Sequence, residues 1–86
     1  MSGISKKAVI ELSKKGSRLF RNGQLEEAEK VYLEAKAIDE ENPYVLSGLG
    51  DVYRKLNRFE DSGAQYDAVL KKDPNNIFAL RGAGDA

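Results

Sequence analysis

The chain repeats itself every 34 residues. Laying residues 9–42 over 43–76 pairs Leu12 with Leu46, Ser13 with Ser47, Gly16 with Gly50, Glu26 with Glu60, Tyr32 with Tyr66, Asp39 with Asp73 and Asn42 with Asn76. These are seven identities in 34 positions, where average composition gives about two. Similar residues fall in step at Leu19/Tyr53, Arg21/Lys55, Leu25/Phe59, Glu27/Asp61, Ala28/Ser62 and Ala35/Val69. The match then continues, because residues 77–86 repeat 43–52 with Leu80, Gly82, Gly84 and Asp85 in register. A period of this length means one small supersecondary unit copied along the chain. Each copy must bury its apolar face against its neighbours.

Within each unit the pattern is that of two helices. In the second unit Asn42-Pro43 supplies a helix cap followed by proline at the first helical position. Leu46, Leu49, Gly50 and Tyr53 then recur at helical spacing, and Asn57 suits the left-handed residue that ends the helix. A second helix is expected from about Phe59 to Lys71, with Glu60 and Asp61 in its first turn and Lys71 and Lys72 near its last, matching the macrodipole. Asp73-Pro74-Asn75-Asn76 reads as a turn in which Asn76 caps the next helix. The first unit reads alike, with helices from about Ser5 to Asn22 and Leu25 to Asp39, separated by Gly23. Five antiparallel helices are expected, the fifth over 77–86. Leu12, Leu19, Leu25, Tyr32, Leu46, Tyr53, Phe59 and Tyr66 are expected in the core. Gly16 and Gly50 are expected to let the first helix of a unit approach Ala28 or Ser62 on the second.

The same positions carry a family resemblance. The tetratricopeptide repeat has the pattern W-x2-L-G-x2-Y, then A-x3-F, then P. Leu46, Leu49, Gly50, Tyr53, Ser62, Tyr66 and Pro74 fill those slots in the second unit. The first unit offers Leu12, Lys15, Gly16, Leu19, Ala28, Tyr32 and Glu40, and the third offers Leu80, Ala83 and Gly84 before the sequence stops. Ser62-Gly63 departs from the usual alanine followed by a bulky residue. The resemblance covers 9–86 and implies an all-α fold, antiparallel helix-turn-helix repeats stacked as a short right-handed α-solenoid. Its units would be 9–42, 43–76 and a partial 77–86, a piece cut from a longer protein. It also implies a non-enzymatic protein-binding adaptor or scaffold whose ligand lies in a concave groove made by the first helices of the units.

Composition narrows the chemistry. Fourteen basic residues balance fourteen acidic ones, so no overall field draws the chain to nucleic acid or to a membrane. Cysteine and histidine are both absent, which removes disulfides, thiolate chemistry, imidazole catalysis and the commonest metal ligand. No apolar run is long enough for a signal peptide or a membrane span, and the cytoplasm is the expected compartment. The glutamates at 26, 27 and 29 and the run Asp39-Glu40-Glu41 make no convergent acid pair with a pocket. Gly48-Leu49-Gly50 and Gly82-Ala83-Gly84 follow turns rather than strands, so they are not phosphate loops. No catalytic residue, metal ligand or cofactor is expected.

Removing the core positions from each first helix leaves a second stripe, where the groove of the resemblance would lie. It holds Ile10, Ser13, Lys14, Ser17, Phe20 and Arg21 in the first unit. The second unit gives Tyr44, Ser47, Gly48, Asp51, Arg54 and Lys55, and the third gives Phe78, Arg81, Gly82 and Asp85. Lys14, Arg21, Arg54, Lys55 and Arg81 oppose only Asp51 and Asp85, a net of +3 on a neutral chain. Phe20, Tyr44 and Phe78 lie between the charges. The expected ligand is therefore a protein or peptide segment, acidic with an apolar anchor. The family's carboxylate clamp for chaperone C-termini is not expected, because Ser13, Ser17, Gly48, Phe78 and Gly82 stand where it needs Lys, Asn and Arg. Self-assembly through solenoid ends is the alternative, since Leu80 and Ala83 would lack a following helix. Single-stranded nucleic acid is a weaker one.

Overall fold

The structure is a computed structural model that describes the backbone of residues 2–76 and 79–80, with side chains from Lys6 onward. Among the described residues, four helices follow one another: α1 (Ser2–Arg21), α2 (Leu25–Ile38), α3 (Pro43–Lys55) and α4 (Phe59–Lys72). Helix α1 starts three residues before its expected beginning, and the other boundaries agree with the sequence reading to within a residue. Residues 79 and 80 are helical; the rest of the expected fifth helix lies outside the described residues.

The repeat recurs in the hydrogen bonds of the turns. After α1, Gly23 adopts φ 80° and after α3 Asn57 adopts φ 64°, the left-handed region that glycine and asparagine tolerate. The following amides close the same loop in both units, Gln24 N–H to Leu19 C=O at 2.9 Å and Arg58 N–H to Tyr53 C=O at 2.8 Å. After α2 and α4 an Asp-x-x-Asn turn recurs. Asn42 Nδ2 donates to Asp39 Oδ2 at 3.3 Å and Asn76 Nδ2 to Asp73 Oδ2 at 3.5 Å. Both asparagines cap the helix ahead. Asn42 Oδ1 accepts from the amides of Tyr44 and Val45 at 3.0 and 3.3 Å, and Asn76 Oδ1 accepts from Ala79 at 3.0 Å. Three orphan donors at those helix starts are thus met by a side chain from the turn.

Two apolar clusters hold the helices together. Val9, Ala28, Tyr32, Ala35, Val45, Leu49, Val52 and Tyr53 join α1, α2 and α3, while Leu46, Tyr66, Val69 and Ala79 join α3, α4 and the start of the next turn of helix. The first cluster crosses the unit boundary, which makes the two helix pairs one packed body rather than two hairpins on a string. Polar ties follow the same boundary. Arg58 reaches Glu29 at 3.2 Å and lies 4.6 Å from the Tyr53 ring centroid, and Lys36 Nζ donates to Gln65 Oε1 at 3.3 Å.

Two sequence expectations need correction, and a third gains a partner. Phe59 is 53% exposed rather than core. It is the first residue of α4, and a helical side chain leans back over the turn before its own Cα, here away from α3. Phe20, expected on the groove stripe, packs instead against the first apolar cluster. Gly50 meets Ser62 as expected, through its carbonyl, and the glycines at 16 and 50 each have a second neighbour that the spacing does not name. A Cβ at Gly16 would meet Tyr32 Cζ at 2.8 Å, and one at Gly50 would meet Tyr66 Cε1 at 2.7 Å. The small residues therefore seat tyrosine rings. Ser62, the apparent departure from pattern, is fully buried and donates to the Gly50 carbonyl at 2.8 Å, so its hydroxyl is satisfied inside the crossing.

Candidate functional site

Short turns make successive helices antiparallel, so α1 and α3 run the same way and lie side by side. Between them opens a cleft of about 550 Å³. Among the described residues, α1 gives it Ser13, Lys14 and Ser17, and α3 gives it Pro43, Tyr44, Ser47, Gly48 and Asp51. Tyr32 reaches it from α2, and Asp73 and Asn76 close it from the turn after α4.

The 34-residue register organises this lining. Ser13 pairs with Ser47, Lys14 with Gly48 and Ser17 with Asp51, and all six residues line the cleft. The pairs one turn further, Phe20/Arg54 and Arg21/Lys55, are absent from it. The cleft therefore does not carry the basic excess of the whole stripe. Its described charges are one cation, Lys14, and two carboxylates, Asp51 and Asp73. The other described cations of the stripe lie further along the helices, Arg21 in the last turn of α1 and Arg54 and Lys55 in the last turn of α3. Phe78 and Arg81 lie outside the described residues.

Tyr32 and Tyr66 occupy equivalent register positions, and of the two it is Tyr32 that lines the cleft. Tyr66 is fully buried and its hydroxyl donates to Asp51 Oδ1. Burial, then that hydrogen bond to a carboxylate, hold its phenol far above the ordinary value. Asp51 also meets Arg54 at 3.6 Å, so its charge is largely answered within the protein. Tyr32 occupies the matching place one unit earlier, beside Ser17, the register partner of Asp51. Burial raises the Tyr32 phenol, and a hydrogen bond with the Ser17 side chain opposes the rise. Tyr44 is the contrasting case, 73% exposed at the start of α3, a large aromatic face open on the wall of the cleft.

Tyr32, Pro43, Asp73 and Asn76 were not anticipated as lining. For Tyr32 a signal existed: mid-helix glycine at 48 costs about 1 kcal/mol relative to alanine, and something must fill the space. A Cβ at Gly48 would lie 2.6 Å from Tyr32 Cε1 and 2.8 Å from its hydroxyl oxygen. That glycine admits a neighbouring side chain. Asp73 and Asn76 were legible only as a turn, and their place beside the cleft follows from stacking.

Among the described residues, no three His, Cys, Asp or Glu gather to hold a metal ion. Among the same residues, no helix is long and apolar enough to cross a membrane.

Comparison with known proteins agrees with this architecture. A family model for the TPR repeat matches residues 16–56, and one for the tetratricopeptide repeat matches residues 43–76. Between them they span most of the helical body, and the second coincides with the second unit of the 34-residue register. The chain belongs to the tetratricopeptide repeat family. No curated protein gives a significant match. Repeats of this family generally mediate protein–protein interaction and are typically non-enzymatic.

Proposed function

We propose that this chain is a non-enzymatic adaptor module that holds a segment of a partner protein in the cleft between α1 and α3. An apolar side chain of the segment sits against Tyr44, and its acidic residues face the cationic helix ends at Arg21, Arg54 and Lys55. The observation that carries this reading is the position of the cleft, which lies on the stripe left over once the core is removed and is walled by an aromatic ring that the fold leaves 73% exposed. Buried aromatic anchors dominate binding energy, while rim charges set specificity and rate.

The test is the affinity of two synthetic peptides with one tryptophan each, one flanked by aspartate and one by lysine. The aspartate peptide should bind better, and the preference should shrink with added salt and with the double variant Arg54→Glu, Lys55→Glu. Equal binding of both peptides overturns the charge assignment. Preferential binding of single-stranded nucleic acid, or of a second copy of the chain, would replace it.

A further inference from the structure

Tyr32 differs from every other residue of the cleft. It is only 5% exposed, its ring lies against both Gly16 and Gly48, and yet its end forms part of the cleft wall. A side chain seated in this way cannot swing aside, so its hydroxyl is presented at one fixed place. Around it the same cleft gathers Ser13 and Ser17 from α1 and Ser47 from α3. We propose that the Tyr32 hydroxyl, with Ser13, Ser17 and Ser47, forms a hydrogen-bonding floor that holds the main chain of an uncharged stretch of the partner segment. This rests on the groove reading above and narrows it: the acidic residues of the segment stay outside the cleft, at the helix ends.

Charge and hydrogen-bonding chemistry both support the assignment. Inside the cleft, Lys14 faces Asp51 and Asp73, so a carboxylate brought in would meet two like charges for one opposite charge. A cation brought in would meet Lys14, and Asp51 is already engaged by the Tyr66 hydroxyl and by Arg54. A neutral stretch meets none of these penalties. Hydroxyls both donate and accept, which suits the alternating N–H and C=O groups of an extended main chain, whereas a carboxylate, which only accepts, would use their donors alone. Ser13 already donates to the Ile10 carbonyl at 3.1 Å, so towards the cleft it offers its lone pairs to an N–H. Groups fixed before binding cost little ordering when the segment arrives.

The probe is a synthetic peptide with one central tryptophan, serine and glycine on either side of it, and two terminal aspartates. A second version carries N-methyl groups on the two amides beside the tryptophan. The variant Tyr32→Phe keeps the ring between the helices and removes only the hydroxyl. It should weaken the probe about 3- to 10-fold, the size of one or two net hydrogen bonds, and leave the salt dependence unchanged. N-methylation should weaken binding to the natural chain by a similar factor, and the two losses should not add. Natural affinity in Tyr32→Phe, or indifference to N-methylation, overturns this inference while leaving the groove reading intact. Should Tyr32→Phe lose its cooperative melt, Ser47→Ala is measured against the same pair of peptides with the same expectations. Failure of the unmodified probe to bind the natural chain at all overturns both readings.

Discussion

Tyr32 fills the space that the missing side chain of Gly48 leaves on α3: a Cβ there would lie 2.6 Å from Cε1 of the ring. Because the same ring is also in contact with Gly16 on α1, it has little room to retreat. Gly48→Ala should therefore destabilise the fold although alanine is the better helix former. Overpacking typically costs about 1–3 kcal/mol and the gain in helix propensity is about 1 kcal/mol, which leaves a net loss of up to about 2 kcal/mol. Denaturant unfolding measures it. In a Tyr32→Leu background the penalty should vanish, because the atoms it meets are gone.

A glycine in the interior of α4 should behave in the opposite way. A Cβ at Gly63 on α4 meets no atom within 4 Å. Gly63→Ala is expected to stabilise by up to about 1 kcal/mol, read as a rise in melting temperature. A fall would mean that the residue touches something in solution that the packing of α4 does not show.

These two glycines also mark the limit of what the sequence discloses. Periodicity alone gave the helix order, the caps at Asn42 and Asn76 and the left-handed Asn57, because each depends on local chemistry within one unit. It could not say which side chain occupies the space over a glycine, since that depends on how α1, α2 and α3 stack. Tyr32 was legible as core but not as a cleft residue for the same reason. The stripe on α1 and α3 was readable as far as Ser17 and Asp51. One turn further, the Phe20 ring packs against the core instead. Phe59 misled because a residue at a helix start covers the preceding turn, a direction that spacing does not encode.

Gly50→Leu should be more damaging than either alanine variant. A Cβ at Gly50 would stand 2.7 Å from Cε1 of Tyr66, a ring that is fully buried, and the position also presents the carbonyl that Ser62 Oγ uses at 2.8 Å. Loss of the cooperative thermal transition, or a drop of about 1–3 kcal/mol, is the expected result. A melting curve superimposable on that of the natural chain would mean that α3 and α4 cross elsewhere.

Alkaline pH should unfold the chain through its tyrosines. Burial raises the phenols of Tyr32, Tyr53 and Tyr66, and that of Tyr53 is pushed up to about 12. An unfolded tyrosine titrates near 10, about its model value. The folded state thus holds these protons more tightly than the unfolded state. The resulting stability is whole below about pH 10 and is lost as the pH rises towards the folded values. For Tyr53 the window runs from about pH 10 to about 12. Urea midpoints should be level in the neutral range and fall above about pH 10. In a Tyr44→Phe background, which leaves only these three rings, tyrosinate absorbance should appear together with the loss of helix. Tyrosinate formed at its ordinary pH without unfolding would contradict the burial of these rings.

The central claim is that the surface between α1 and α3 receives a partner segment, and chemical-shift mapping on the isotope-labelled chain tests it most directly. Titration with the tryptophan–aspartate peptide should move the amides of Lys14, Ser17, Tyr44, Ser47 and Gly48, with smaller shifts at Arg21, Arg54 and Lys55 on the rim. Those of α2 and α4 that face away, such as Leu33 and Asp67, should stay in place. Shifts concentrated on α2 and α4, with the α1 and α3 amides unmoved at saturation, would contradict it.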